Sequence, residues 1–444
     1  MKLNLSELEN ILGSSVINSD VTFEGISIDS RTIKNNELYI PIKGENFDGH
    51  KFILDAVKNG ACALITEKEY ANIPYIKVAD TKKALGLIAT YYSGVINPTI
   101  IGITGTNGKT SVTNMTASIL NYHTPTLKTF KNFNNQIGLP LSILKAEKKH
   151  QAFVLEMGAS KKGDIKELVE IARPSIITIL NVSPAHLDTF GSVDNILSTK
   201  EEILLNQDFS KKVILNKDDK YFERWAEKSN KHQIITISAK QVADYYVVSS
   251  TDNTLIVKTP SMNQINIKVK DSVSYTINNI LFSVALASEA GANAENIISG
   301  INNMLEVEGR FAVIDGYNGS SLIDSTYNAN PASFKSTIDS LMQLTGVPWL
   351  IMGEMGELGD ESQRYHIEVA RYAREAGIKK LFVISRHADA ILNEFGTNSY
   401  SFETNEQLIE SVKPHITSNL NILIKASRFM KYEVIVNALA AGKY

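Results

Sequence analysis

Ile101-GITGTNGKT-Ser111 is the stretch on which the fold turns. An apolar run, Thr99-IIGI-Thr104, leads into a glycine turn, and Lys-Thr then opens a segment whose Val112, Met115, Thr116 and Ile119 recur at the helical period. Strand, glycine turn and helix in that order make a phosphate loop. Gly105 and Gly108 let backbone N–H groups approach phosphate oxygens, Lys109 brings positive charge, and Thr110 offers a hydroxyl to Mg²⁺. The residues predicted at the nucleotide are therefore Gly105, Thr106, Asn107, Gly108, Lys109, Thr110 and Ser111. The longer Gly-x4-Gly-Lys-[Ser/Thr] pattern would need glycine at position 103, which is Ile103, so this is a shorter variant.

Beyond the loop, Ala152-FVLE, Ser175-IITIL and Lys212-VILN alternate with helix-length segments, the pattern of a parallel sheet covered on both faces. Ligands of such sheets gather at the carboxyl ends of the strands. Glu156 ends one strand and is a candidate to bind Mg²⁺ directly or through water. Asn181 ends the next, and His186 follows in Asn181-VSPAHLDTFG-Ser192 as a candidate metal ligand. Lys200, in Asn195-ILSTKEEILL, reads on its own pattern as part of a solvated helix face.

The 444 residues suggest about three domains. Residues 1–97 mix short β-like runs (Val21–Ile28, Leu38–Ile42, Ala63–Ile65) with a helix whose Ala84, Leu87, Ile88 and Tyr91 share a stripe, and Asn97-Pro98 breaks that helix. Residues 98–309 form the phosphate-loop domain. Residues 310–444 carry further strands at Ser321-LID, Trp349-LIM, Leu381-FVI and Asn421-ILIK. A helix over Glu361–Ala376 places Tyr365, Val369, Tyr372, Ala373 and Ala376 on one stripe and stops at Gly377. The expected fold class is thus α/β throughout.

Forty-five Lys+Arg against 48 Asp+Glu leave no chain-wide basic surface for a nucleic-acid backbone. The one cysteine, Cys62, excludes an intrachain disulfide and a cysteine-built zinc site. No run of 18 apolar residues occurs, and MKLNLSELENILG lacks the apolar core of a secretory signal. The expectation is a cytoplasmic protein without membrane insertion.

Gly105-TNGKTS, Asn132-FNNQIGLP, Glu156-MGAS, Asn181-VSPAHLDTFGS and Thr199-KEEI together resemble the ATP-dependent Mur ligases of peptidoglycan assembly. Ser27-IDSRTI, Asn46-FDGHKF, Glu308-GRF, Tyr327-NANPAS, Gly353-EMGELG, His366 and Lys425-ASRFMKYE extend the resemblance over nearly the whole chain, toward the branch that adds a dipeptide. The resemblance implies an N-terminal UDP-binding domain, a central ATPase and a C-terminal Rossmann-like domain. It implies joining of D-Ala-D-Ala to the terminal carboxylate of UDP-MurNAc-tripeptide through an acyl phosphate, with release of ADP and phosphate, by a monomer.

By the same resemblance, Lys109, Glu156, His186 and Lys200 are catalytic. Thr110 and Glu156 serve Mg²⁺ between the β- and γ-phosphates, His186 serves a second Mg²⁺, and Lys200 is carbamylated, which reverses its reading as a solvated side chain. Asn216 falls at the adenine, and Arg310 and Asp324 fall near ATP. Ser30, Arg31, Asp48, Gly49 and His50 fall at the uridine nucleotide. Asn134, Asn135, Tyr327, Asn328 and Asn330 fall at the acyl site. Two departures stand out: Asp324-Ser-Thr-Tyr327 where the family has Asp-Asp-Ser-Tyr, and Lys425-Ala-Ser-Arg428 where it has Lys-Gly-Ser-Arg. The alternatives are a ligase of the same type with another amino acid or peptide substrate, including a pseudomurein-like pathway, or a catalytically degenerate ATP-binding homologue.

Overall fold

A computed structural model describes the chain except residues 45–46, 206–207, 252–253, 269–273, 305–308 and 443–444, and the side chains of 274–276. Asn46 and Glu308, which open two of the motifs above, lie outside the described residues.

The N-terminal sheet has the strand order Val16–Ile17, Tyr75–Lys77, Ala61–Thr66, Glu37–Tyr39, Gly25–Ser27. The β-like run expected over Val21–Ile28 is broken at Glu24: Thr22–Phe23 pairs with Leu3–Asn4, while Gly25–Ser27 joins the larger sheet. Helix Thr81–Ile96 starts where the Asp80 carboxylate accepts from Lys83 N at 3.0 Å and ends at Asn97 in the left-handed region, φ 54°. Its buried face is Ala84, Leu85, Ile88, Ala89 and Tyr92, whereas Leu87, expected on the stripe, is 46% exposed. The helix packs on two sides. Thr90 Oγ1 donates to Ile171 O at 2.8 Å, and a Cβ at Gly86 would stand 3.1 Å from Ile171 Cδ1, so the helix Asp164–Ala172 of the next domain turns the buried face away from the simple stripe.

The central sheet has nine strands, ordered Asn263–Lys268, Thr254–Thr259, Tyr245–Thr251, Gln233–Ser238, Lys212–Asn216, Ile176–Ile179, Thr99–Thr104, Ala152–Glu156, Thr126–Lys128. The phosphate-loop strand lies between Ile176–Ile179 and Ala152–Glu156, in parallel register with both. At the other edge, Thr254–Thr259 pairs antiparallel with both Tyr245–Thr251 and Asn263–Lys268 and so extends the parallel sheet, a feature absent from the expectation. Ile101, Ile103, Val154, Leu155, Ile177 and Ile179 have no exposed surface, as strands covered on both faces require. Truncating such a side chain to alanine costs about 2–5 kcal/mol. The helix Lys109–Asn121 buries the predicted Val112, Met115, Thr116 and Ile119.

The C-terminal sheet is ordered Ala312–Asp315, Ser321–Ser325, Leu420–Lys425, Val347–Gly353, Lys380–Ile384, Ser399–Ser401, parallel except at its first strand. Helix Ser362–Ala376 buries Val369 and Ala373 and stops at Gly377, φ 101°. Tyr365, Tyr372 and Ala376 are only half-buried at the edge of that stripe.

Candidate active site

The phosphate loop is held open by its backbone. Gly105 (φ 154°) and Gly108 (φ 86°) adopt conformations that suit glycine, and a Cβ would meet Leu180 Cβ at 2.9 Å or Asn279 Oδ1 at 2.7 Å. Asn181, from the neighbouring strand end, braces the loop: its Oδ1 accepts from Asn107 N at 2.9 Å and its Nδ2 donates to Asn107 O at 3.0 Å. Ser183 N donates to Thr106 Oγ1 at 3.1 Å. Ser111 continues the helix that the loop opens.

Three chain segments converge beside it. Thr110 Oγ1 donates to Glu156 Oε2 at 2.7 Å, and Asn134 Nδ2 donates to Glu156 Oε1 at the same distance. Arg310, 200 residues downstream of Thr110, donates from Nη2 to Thr110 Oγ1 at 2.9 Å while its guanidinium lies 4.1 Å from the centre of the Tyr327 ring. Thr110 and Glu156 thus present adjoining hard oxygen donors, the donor type Mg²⁺ takes. Asn135 does not join them. Its Oδ1 accepts from Ile137 N and Gly138 N at 3.2 and 2.8 Å, in the turn that leads into helix Gly138–Ile143.

Lys109 donates to Gly105 O at 2.8 Å and Thr106 O at 3.0 Å. Burial lowers its pKa, the Arg310 charge adding to the effect and Glu156 opposing it. Lys200 is not solvated: only 5% of it is exposed, and burial holds its pKa well below the ordinary lysine value, with the Lys109 charge in the same sense and Glu156 against.

His186 sits in the left-handed region (φ 51°) with Nδ1 2.6 Å from Glu357 Oε2 of the C-terminal domain, and this hydrogen bond lowers the Glu357 pKa. Glu357 lies within the quoted Gly353-EMGELG, where nothing local shows which of the two glutamates faces another domain. His366, fully buried, accepts from Met355 N at 2.9 Å and donates from Nδ1 to Ser362 O at 2.7 Å, so it is the neutral imidazole that holds this segment.

Asn330 caps helix Pro331–Leu341 through Ser333 N and also donates from Nδ2 to Asn107 Oδ1 at 2.7 Å, a second bond between C-terminal domain and phosphate loop. Asp324, expected near ATP, is 2% exposed and spends its oxygens on Gly309 N (3.1 Å), Thr326 N (3.0 Å) and Thr326 Oγ1 (2.7 Å). It sets the backbone that carries Arg310. Asn328 is likewise turned to its own loop, its Oδ1 accepting from Ala329 N at 2.9 Å. Lys425 donates to Ser325 Oγ at 3.1 Å and Asn328 O at 2.9 Å, and burial, reinforced by Arg310, lowers its pKa to about 7. Asn216 is buried and accepts from Asp218 N at 3.0 Å, capping the turn after its strand.

In the N-terminal domain, Asp48 Oδ1 takes both the backbone N–H (3.0 Å) and Nδ1 (2.8 Å) of His50, which lowers the Asp48 pKa. Gly49 packs on Ile42, where a Cβ would come within 2.8 Å of Ile42 N, and Gly49 O accepts from Tyr39 OH at 3.1 Å. Burial, then the charges of Asp29, Asp48 and Asp55, raise the Tyr39 phenol to about 12, so the two predicted segments flank one phenol. Ser30 is buried beside them, its carbonyl accepting from Asn59 Nδ2 at 2.8 Å. Arg31 is exposed and forked onto Asp29 at 2.9 and 2.7 Å.

Known proteins share this arrangement. Residues 22–93 match the model of the Mur ligase family catalytic domain, 103–287 the Mur ligase middle domain, and 309–428 the Mur ligase glutamate ligase domain. The UDP-N-acetylmuramoyl-tripeptide--D-alanyl-D-alanine ligase of Haemophilus influenzae is 31% identical over 99% of this chain and 98% of its own. A crystal structure of MurF from Acinetobacter baumannii superposes with a TM-score of 0.91 at 28% identity over 98% of each chain. The MurF ligase from Thermotoga maritima in complex with ADP does so with a TM-score of 0.83 at 26% identity, over 94% of this chain and 96% of that one. With each third of the sequence matched and the phosphate loop, Glu156 and Arg310 brought together, the chain belongs to the Mur ligase family.

Proposed function

We propose that this chain is an ATP-dependent ligase that joins D-alanyl-D-alanine to the terminal carboxylate of UDP-MurNAc-tripeptide, working as a cytoplasmic monomer divided at residues 97 and 309. One observation carries the reading: Arg310 of the C-terminal domain meets Thr110 of the ATPase domain, whose hydroxyl is bonded to Glu156, with Lys109 and Lys200 beside them. That is a site for bringing anions together. No helix among the described residues is long and apolar enough to cross a membrane.

A carboxylate is a poor acyl donor. Its oxygen attacks the γ-phosphorus of ATP, the bond to the β-phosphate oxygen breaks, and ADP leaves an acyl phosphate. The dipeptide amine then adds to the acyl carbon, the amine proton is lost, and inorganic phosphate departs. Lys109, released from the loop carbonyls, would turn to the phosphates, and Arg310 would follow from Thr110. Both act where negative charge accumulates. Mg²⁺, held by Thr110 and Glu156, would supply the remaining counter-charge. His186 suits a second such ion, since Glu357 on Nδ1 leaves Nε2 available, the usual arrangement of a liganding imidazole.

Burial shifts the Lys200 amine toward its neutral form, the form that adds CO₂ with loss of a proton to give a carbamate. The carbamate is an anion able to orient metal and phosphate where an ammonium would compete. Asn134 and Tyr327 line the acyl side, while Asp48, Gly49, His50 and Ser30 offer the uridine nucleotide a polar edge.

The test is phosphate release from ATP that requires both UDP-MurNAc-tripeptide and D-Ala-D-Ala. Turnover that ignored the dipeptide, or ran equally with free meso-diaminopimelate or lysine and the shorter precursor, would overturn the assignment. Lys200→Ala is expected to regain part of its activity with a short-chain carboxylic acid.

A further inference from the structure

Lys200, Glu201 and Glu202 are consecutive charged residues, and all three are buried, at 5, 1 and 6% exposure. Charged side chains are almost never fully buried unless paired. Two of these are paired completely. Glu201 accepts from Arg224 Nε at 2.6 Å and Nη2 at 2.8 Å, and from Lys228 Nζ at 2.5 Å. Glu202 accepts from Gly163 N at 2.7 Å and Lys166 N at 3.1 Å, at the start of helix Asp164–Ala172. The Lys200 side chain makes no hydrogen bond or ion pair among the described residues, and the charges it feels are those of Lys109 and Glu156 in the cleft.

Helix Val193–Lys200 ends at this point and tightens into a 3₁₀ turn over Glu201–Leu204. Arg224 and Lys228 are four residues apart on helix Phe222–Lys228, so they share a face, and Trp225 beside them has no exposed surface and seats that helix in the core. A rigid element therefore grips the residue next to Lys200 at both carboxylate oxygens. We infer that Glu201, clamped by Arg224 and Lys228, is a positioning residue of the ligase: it fixes the turn so that Lys200 enters the cleft facing Lys109 and Glu156. The inference rests on the ligase reading above. Side chains that act on a transferring group must be held to a fraction of an ångström, and a four-carbon stem does not supply that alone.

The experiment uses the full chain with Glu201→Gln, Arg224→Ala with Lys228→Ala, and Arg224→Lys. Turnover, KM for each substrate, thermal midpoint and a crystal structure of the double variant are measured. The double variant is expected to lose about 10- to 100-fold in kcat, with each KM within about threefold, and Arg224→Lys, which keeps a cation on Glu201, to recover most of that loss. The thermal midpoint separates the effects: a lower midpoint with unchanged kcat per folded enzyme makes the clamp purely structural and overturns the inference, as does a rise in KM alone. ¹³C NMR in labelled bicarbonate reports the carbamate separately. If wild type gives no carbamate signal, that reading fails while the kcat comparison still decides the clamp. If wild type shows no dipeptide-dependent turnover, the ligase reading fails and the crystal structure decides: Lys200 Nζ displaced by about 1 Å or more supports the clamp, and an unmoved Nζ overturns it.

Discussion

Arg310 Nη2 donates to Thr110 Oγ1 at 2.9 Å, a bond between two domains made at the hydroxyl that follows the phosphate-loop lysine. The guanidinium is already stacked on Tyr327 and carried by a backbone that Asp324 fixes through Gly309 N. On the ligase reading proposed above, this guanidinium serves the terminal phosphate of ATP. Arg310→Ala is expected to reduce kcat/KM for ATP by about 10- to 100-fold, and Arg310→Lys to restore little, because lysine has neither the fork nor the planar stacking face. Steady-state kinetics at varied ATP checks this; full recovery with lysine would count against it.

Gly108 opens the helix that carries Lys109 and has a backbone that a side chain would strain. Alanine there would combine a left-handed backbone, φ 86°, with a Cβ 2.7 Å from Asn279 Oδ1. Gly108→Ala should cost about 1–3 kcal/mol in urea unfolding and weaken ATP binding. Adding Asn279→Ala should recover only the steric part, since the backbone strain remains. Full recovery by the double variant would show that the conformation matters little.

His366 links acid stability to the Gly353–Gly359 segment. Burial lowers its pKa from 6.5 to about 4, and the hydrogen bond from Nδ1 to Ser362 O opposes this only in part. In the unfolded chain the imidazole takes up a proton near 6.5, so its favourable contribution is complete above that pH and is lost as pH falls toward 4. The amount is about 3 kcal/mol over that window. His366→Gln should flatten the pH dependence of unfolding between 6.5 and 4. An unchanged slope would assign acid sensitivity elsewhere.

Ser325 stands where the family has a second aspartate, and the structure places it 3.1 Å from Lys425 Nζ. A carboxylate there would favour the charged lysine, whose pKa is now about 7. Because the folded pKa lies below the unfolded one, wild-type stability should rise, relative to Lys425→Met, as pH increases from 7 toward 10.5. Ser325→Asp should shrink that rise. Urea midpoints at three pH values would measure it, and an identical rise in the variant would exclude the coupling.

Much of this architecture is written locally. The stripe of Val112, Met115, Thr116 and Ile119, the glycines of the loop and the apolar strands are legible because each obeys a short period or a backbone requirement that neighbours along the chain impose. The misreadings have the opposite character. Leu87 is exposed because helix Asp164–Ala172 competes for the face of its helix, and the antiparallel extension at Tyr245–Lys268 is set by pairing rather than by period.

The site divides the same way. By itself the sequence determined the phosphate loop, the strand-end Glu156 and His186, and the ordered motifs that carry the family resemblance, since these are residue types at fixed spacing. Only the tertiary structure decided that Asn134 and not Asn135 reaches Glu156, that Asp324 serves the backbone, that His186 meets Glu357, and that Lys200 is buried beside Lys109. Each depends on which way a side chain points between elements dozens to hundreds of residues apart. Direction at that range is set by packing and desolvation, which spacing along one segment does not encode.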